Sequence, residues 1–134
     1  MKKDIEIPEV KNVEIAIVKE YNDNFLADCW YAYLYNNTDK DLEAIMIISQ
    51  AKGEIDGEQR NSSLFRHAFP KLAPKQALKV ELLDENIFQL DNTFMLTFFQ
   101  EGKLFDKKYV LQANTIENRD LETLAFENKK GFTL

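Results

Sequence analysis

The sequence predicts an all-β chain of two packed antiparallel sheets with about seven strands and a short C-terminal helix. Three observations carry this. Apolar residues alternate with a period of two along most segments, turn residues recur at spacings of roughly 10 to 15 residues, and no long helices separate the strands. The 134 residues form one domain, residues 1–134, at about 150 residues per domain. With 45% hydrophobic residues, and 10 Phe, 5 Tyr and 1 Trp among them, the chain can bury a core of ordinary size.

The elements follow in order. Val13, Ile15 and Ile17 alternate with Glu14, Ala16 and Val18, a strand running to about Tyr21. Trp30, Ala32 and Leu34 alternate with Tyr31, Tyr33 and Tyr35, and residues 36–40 (Asn-Asn-Thr-Asp-Lys) end that strand in a turn. Ala44 to Ser49 is a third strand, and Gly53 with Asp56-Gly57 marks a turn that sets it in a hairpin with Asn61 to Phe69. Pro70 and Pro74 bound a crossing segment. After it, Leu78, Val80 and Leu82 point one way and Lys79 and Glu81 the other. Thr93 to Gln100 and Leu104 to Ala113 flank Glu101-Gly102-Lys103, a short hairpin loop in which glycine takes positive φ. Residues 114–134 read as a helical segment packed on the sheets. Asn118 is its cap, Asp120 and Glu122 sit at its positive end, Leu121, Leu124 and Ala125 share a face, and Lys129-Lys130-Gly131 stops it ahead of a short Phe132-Thr133-Leu134 extension able to return to a sheet edge.

Such a series of strands points to an immunoglobulin-like β-sandwich. The chain carries 17 basic and 23 acidic residues. Residues 1–67 hold 8 basic and 13 acidic groups and residues 68–134 hold 9 and 10, so neither half offers a basic face for nucleic acid. Cys29 is alone, which excludes an intramolecular disulfide and suits a reducing compartment. Acidic residues and Pro8 follow Met1-Lys2-Lys3 where a signal peptide needs an apolar run. The longest purely apolar stretch, Ala44 to Ile48, is far short of the roughly 20 residues of a membrane helix. The expectation is a cytoplasmic protein without a membrane partner.

Motifs for chemistry are sparse. Arg66-His67, with Ser62 and Ser63 nearby, holds the single group that titrates near neutrality, but no G-x-S-x-G elbow accompanies it. One His and one Cys exclude the common zinc sets. Asp39, Asp41 and Glu43 lack the glycine and distant Glu of a calcium loop and read as solvated turn charges. The carboxylates Asp84-Glu85 and Glu54, Asp56 and Glu58 have no evident cleft to flank, and the four glycines form no phosphate-cradling loop. No catalytic residue, metal or cofactor is therefore expected.

The aromatic pattern supplies the candidate site. If Trp30, Ala32 and Leu34 face the core, then Tyr31, Tyr33 and Tyr35 form a stripe on the opposite face, with Phe105 and Tyr109 as a parallel row. One reading is a docking surface for a protein partner or a second copy of the chain, or a flat small-ligand or sugar site. The other is that the C-terminal segment covers the stripe, since large exposed apolar patches are rare on soluble monomers. An unpaired edge strand is a separate docking mode, and a minor enzyme centred on Arg66 and His67 is a third reading.

A resemblance extends over nearly the whole length. Its motifs are Asp4-Ile5-Glu6-Ile7-Pro8, Trp30 with Tyr33-Leu34, Ser62-Ser63 before Arg66-His67, Phe98-Phe99 before Gly102-Lys103-Leu104, and Lys130-Gly131. Together these resemble a family of small uncharacterised bacterial proteins whose members are often labelled phenylalanyl-tRNA synthetase subunit alpha. The label implies a class II synthetase core, with a far longer chain and an ATP-gripping arginine beside a large mixed sheet. Nothing in this sequence matches that core, so the resemblance implies no catalytic residue here.

Overall fold

A computed structural model describes residues 8–62 and 64–134. Met1–Ile7, and with them most of the first motif, lie outside the described residues, as does Ser63. The described chain is all-β and has ten strands: β1 (Val13–Asn22), β2 (Ala27–Asn36), β3 (Leu42–Ile55), β4 (Glu58–Asn61), β5 (Phe65–Leu72), β6 (Ala77–Leu83), β7 (Asp91–Gln100), β8 (Lys103–Leu111), β9 (Glu122–Thr123) and β10 (Lys130–Thr133). The first sheet has the order β6-β2-β1-β10-β9. In the second, β4-β3-β7-β8, the long β3 pairs with β4 near its end and with β5 along its first part.

The two sheets share one core. Ile15, Ile17, Ala32 and Leu34 from the first sheet meet Ile45, Ile47, Phe94, Leu96, Phe98 and Leu111 from the second. Alternation produces this arrangement, because every second side chain of a strand projects to the same face. Asn36 is buried at the end of β2 and organises the turn that follows. Its Nδ2 donates to the carbonyls of Lys40 (2.8 Å) and Leu72 (3.1 Å), and its Oδ1 accepts from the Thr38 hydroxyl (2.6 Å). Glu101 and Gly102, both at positive φ, make the β7–β8 hairpin turn where it was expected.

The strand count exceeds seven. The expected pairing of the third strand with the segment ending at Phe69 is present, Ile45–Ser49 lying opposite Phe65–Phe69, while β3 also runs on to Ile55 and turns through Asp56-Gly57 to pair with β4. The register of β6 against β2 shifts between Ala32 and Tyr33, where Ala32 pairs with Glu81 and Tyr33 with Lys79. Val80 is the extra residue of this bulge, and a bulge reverses the facing of everything beyond it. Leu82, expected inside, is therefore exposed, while Glu81 turns inward.

The C-terminal helix is absent. A single 3₁₀ turn, Ile116–Asn118, is followed by the β9–β10 hairpin. A helix would have left β1 an unpaired edge, whereas β10 satisfies its backbone over Ala16–Lys19. Gly131, read as a stop signal, is instead required by close approach: a Cβ there would lie 2.1 Å from the Ile17 carbonyl oxygen. Replacing Gly131 with Ala is expected to force β10 off β1 and to cost about 3 kcal/mol, the upper range for overpacking. Urea denaturation of the purified variant measures this directly.

Candidate functional site

The tyrosine stripe exists, but it is not a surface. Tyr31, Tyr33 and Tyr35 lie on the outer face of the first sheet with Ala16 and Val18, and Leu124 and Phe126 from the C-terminal segment close over them. All three tyrosines are buried, and the Phe126 ring sits 4.9 Å from that of Tyr35 and 5.6 Å from that of Tyr33. A polar clasp flanks this second core. Glu20 on β1 accepts hydrogen bonds from the Tyr33 hydroxyl, from Lys79 on β6 at 3.1 Å and from Lys129 at 3.5 Å. The Lys79 ammonium also lies 4.3 Å from the Tyr31 ring centroid. Burial works against the Glu20 carboxylate, but hydrogen bonds from Tyr33 and Lys79 and the charges of Lys129 and Lys79 outweigh it and hold its pKa below the usual value. Burial, reinforced by Glu20, pushes the Tyr33 phenol well above its usual range.

Phe105 and Tyr109 do not extend the stripe. Both project from β8 into the space between the sheets, where Phe105 stacks on Phe98 with centroids 5.1 Å apart and the Tyr109 hydroxyl donates to the Val13 carbonyl. The phenol of Tyr109, desolvated there and facing the negative charge of Glu14, is also shifted upward.

Arg66 and His67 are adjacent on β5 and so point to opposite faces. Arg66 is exposed, while His67 turns inward until its Nε2 lies 3.3 Å from Oε1 of Glu81 on β6. The pair bridges the two sheets without a well-directed hydrogen bond. Ser62 Oγ accepts from the Ala51 amide at 2.8 Å. Arg66 and His67 thus form no common site. Among the acidic residues weighed as ligands, Asp41 pairs with Lys71 at 3.1 Å and Asp39 lies 4.0 Å from Lys75.

Two other places hold what the tyrosines do not. Among the described residues, no segment lies over the outer face of the second sheet. Met46, Met95, Phe99, Leu104 and Val110 are between 39% and 53% exposed there. Cross-strand pairing joins Ile48 to Met95, Thr93 to Val110 and Phe99 to Leu104, with Thr97, Asp106 and Lys108 interspersed among them on neighbouring positions. Sequence alternation around Thr93–Gln100 shows these residues opposite the core, but the sequence does not say which sheet is left uncovered.

The second place is a cleft of about 620 Å³, within the usual range for small-molecule sites. Trp30, Lys19 and Arg119 line it, as do Glu85 and Gln89 of the 3₁₀ turn Glu85–Gln89, with Asn114 and Glu117 beyond. Trp30 is half-buried, meeting the Phe88 ring edge-on at 6.0 Å while the Lys19 ammonium lies 5.4 Å from its centroid. The walls are fixed by local chemistry. Asp84 caps the Glu85–Gln89 turn through the Asn86 amide (2.9 Å), buried Asn92 donates to the carbonyls of Ile87 and Leu90 (2.9 Å each), and the Asn114 amide donates to Phe88 O (2.8 Å). In the sequence Trp30 reads as core, and nothing links it to Glu117 or Arg119. No family model and no curated protein matches this chain.

Glu20 gives the closed face a pH signature. Its carboxyl is more acidic in the folded protein than in the unfolded chain, so its stabilisation is complete above the ordinary value of 4.5 and is lost as pH falls through the lowered folded value. Glu20→Gln is expected to cost about 1 kcal/mol at neutral pH, the scale of hydrogen bonds to a charged group partly open to water. Urea titrations at pH 7 and in acid should show the gap between wild type and variant narrowing on acidification.

Proposed function

We propose that this chain is a non-enzymatic accessory module of the cytoplasm that works by protein contact, and that the contact surface is the outer face of the second sheet. The observation that carries the reading is the group formed by Met46, Met95, Phe99, Leu104 and Val110, exposed on a sheet face that no described segment covers. Methionines adapt their shape to a partner, and exposed apolar side chains clustered on one sheet face among polar ones are the composition of a contact site. The partner is a second protein or another copy of the chain.

Lys103, Lys107 and Lys108 stand along the exposed edge strand β8, a charge pattern that discourages strand addition, and this favours the face over the edge. An immunoglobulin-like topology accords with the strand orders: β1, β2 and β6 correspond to strands A, B and E of such a sandwich, and β3, β7 and β8 to C, F and G. The lone Cys29 and the formal charge of −6 fit a reducing compartment and a partner other than nucleic acid. No helix among the described residues is long and apolar enough to cross a membrane.

The test is the double substitution Met95→Glu with Phe99→Glu, both on exposed positions. The variant is expected to keep the wild-type circular dichroism spectrum and to lose self-association in sedimentation velocity, or to lose a partner that cross-links to the wild type. Undiminished association by the folded variant would remove this face from the reading.

A further inference from the structure

The cleft around Trp30 lies apart from the face just discussed, and its lining selects a ligand. Trp30 is on the inner side of the β1–β2 hairpin, opposite Lys19, and Tyr21 lies on the same side two residues farther on, 57% exposed. The hairpin thus carries two aromatic rings along one face. Tyr21 stands outside the cleft; within it, Trp30 shares the lining with Phe88, Ile116 and Leu121, and Gln89 and Asn114 supply amide groups, each able both to donate and to accept. Lys19 and Arg119 add two positive charges, and Glu85 and Glu117 two negative ones.

This balance decides the ligand class. An anion drawn by the two cations meets the two carboxylates, and a cation meets the reverse. A neutral ring carrying several hydroxyls, each able to donate one hydrogen bond and accept others, can pair with cations, carboxylates and amides of the rim alike. An indole face suits a ring that is apolar on one side and hydroxylated at its edge. Arg119 is already fixed on the protein side: its guanidinium lies 4.2 Å from the Phe132 ring centroid and donates to the Thr133 carbonyl at 3.1 Å. It is a preformed wall rather than a free anion hook. We propose that the cleft lined by Trp30, Gln89, Asn114 and Glu117 binds a neutral pyranose sugar, stacked on the indole and hydrogen-bonded through its hydroxyls to the polar rim.

The test titrates the full chain with cellotriose and maltotriose, following Trp30 fluorescence, with inorganic phosphate as the charged comparison. At least one trisaccharide is expected to give a saturable shift below about 10 mM, weak but specific binding. Gln89→Ala combined with Glu117→Ala retains the indole reporter, alters exposed positions, and is expected to weaken binding about tenfold or more. Trp30→Ala, followed by calorimetry, is expected to abolish it. If Trp30→Ala fails to fold, the Gln89/Glu117 variant decides. The double substitution on Met95 and Phe99 should leave the response unchanged, which separates this site from the contact face. The proposal is overturned if neither trisaccharide binds saturably, if the Gln89/Glu117 variant binds as wild type does, or if phosphate binds more tightly than either sugar.

Discussion

Strands β1 and β2 are apolar on both sides, and both sides must be covered. Ile15, Ile17, Ala32 and Leu34 meet the second sheet, while Ala16, Val18, Tyr31, Tyr33 and Tyr35 need a second cover. The last stretch of the chain supplies it with Leu124 and Phe126. Covering that face also satisfies the free edge of β1, because the same segment provides β10. The close approach at Gly131 and the lysine contacts at Glu20 serve this closure, one through backbone sterics and the other through charge. The C-terminal segment is therefore part of the core.

That closure determines where function can reside. With the centre of the first sheet covered on both sides, the apolar groups left to solvent are on the second sheet, at Tyr21 and Leu82 near the ends of β1 and β6, and in the turns and loops. Met95 and Phe99 are separated from the core by the thickness of one sheet, so they can change partners without disturbing Phe94, Leu96 or Phe98 behind them. The cleft arises differently. The β1–β2 hairpin extends beyond the shared core, and the two short 3₁₀ turns fold back toward it without filling the space in front of Trp30. A flat face and a cleft of mixed polar and apolar lining on one small domain are thus both consequences of how the two sheets are closed.

Small register changes decide the chemistry of individual positions. The bulge at Val80 turns Glu81 toward the interior, where it meets His67 across the gap between the sheets. Without that extra residue Leu82 would have faced inward, and His67 would have had no acidic partner. The irregularity near Ala44, which has positive φ, likewise separates the Glu43–Phe99 pairing from the regular ladder that starts at Met46. Alternation counted along a sequence carries no record of such insertions, because a bulge depends on the neighbouring strand as much as on its own.

The sequence by itself determined what is local and periodic. It fixed the all-β class, the strands around Val13, Trp30 and Thr93, the β7–β8 turn at Gly102, and the division of β2 into one face bearing Trp30 and another bearing the tyrosines. The run from Trp30 to Tyr35 also held the signal for burial on both faces, since no polar side remained in it. Tertiary structure decided the rest. Whether residues 114–134 form a helix or strands depended on the open edge of β1 and the uncovered tyrosines, which lie about a hundred residues away in sequence. Which sheet keeps an exposed face followed from that choice. The cleft likewise joins Trp30 to Glu85, Asn114 and Arg119, residues that no spacing rule connects and that meet only when the hairpin, the 3₁₀ turns and the C-terminal segment converge at one end of the sandwich.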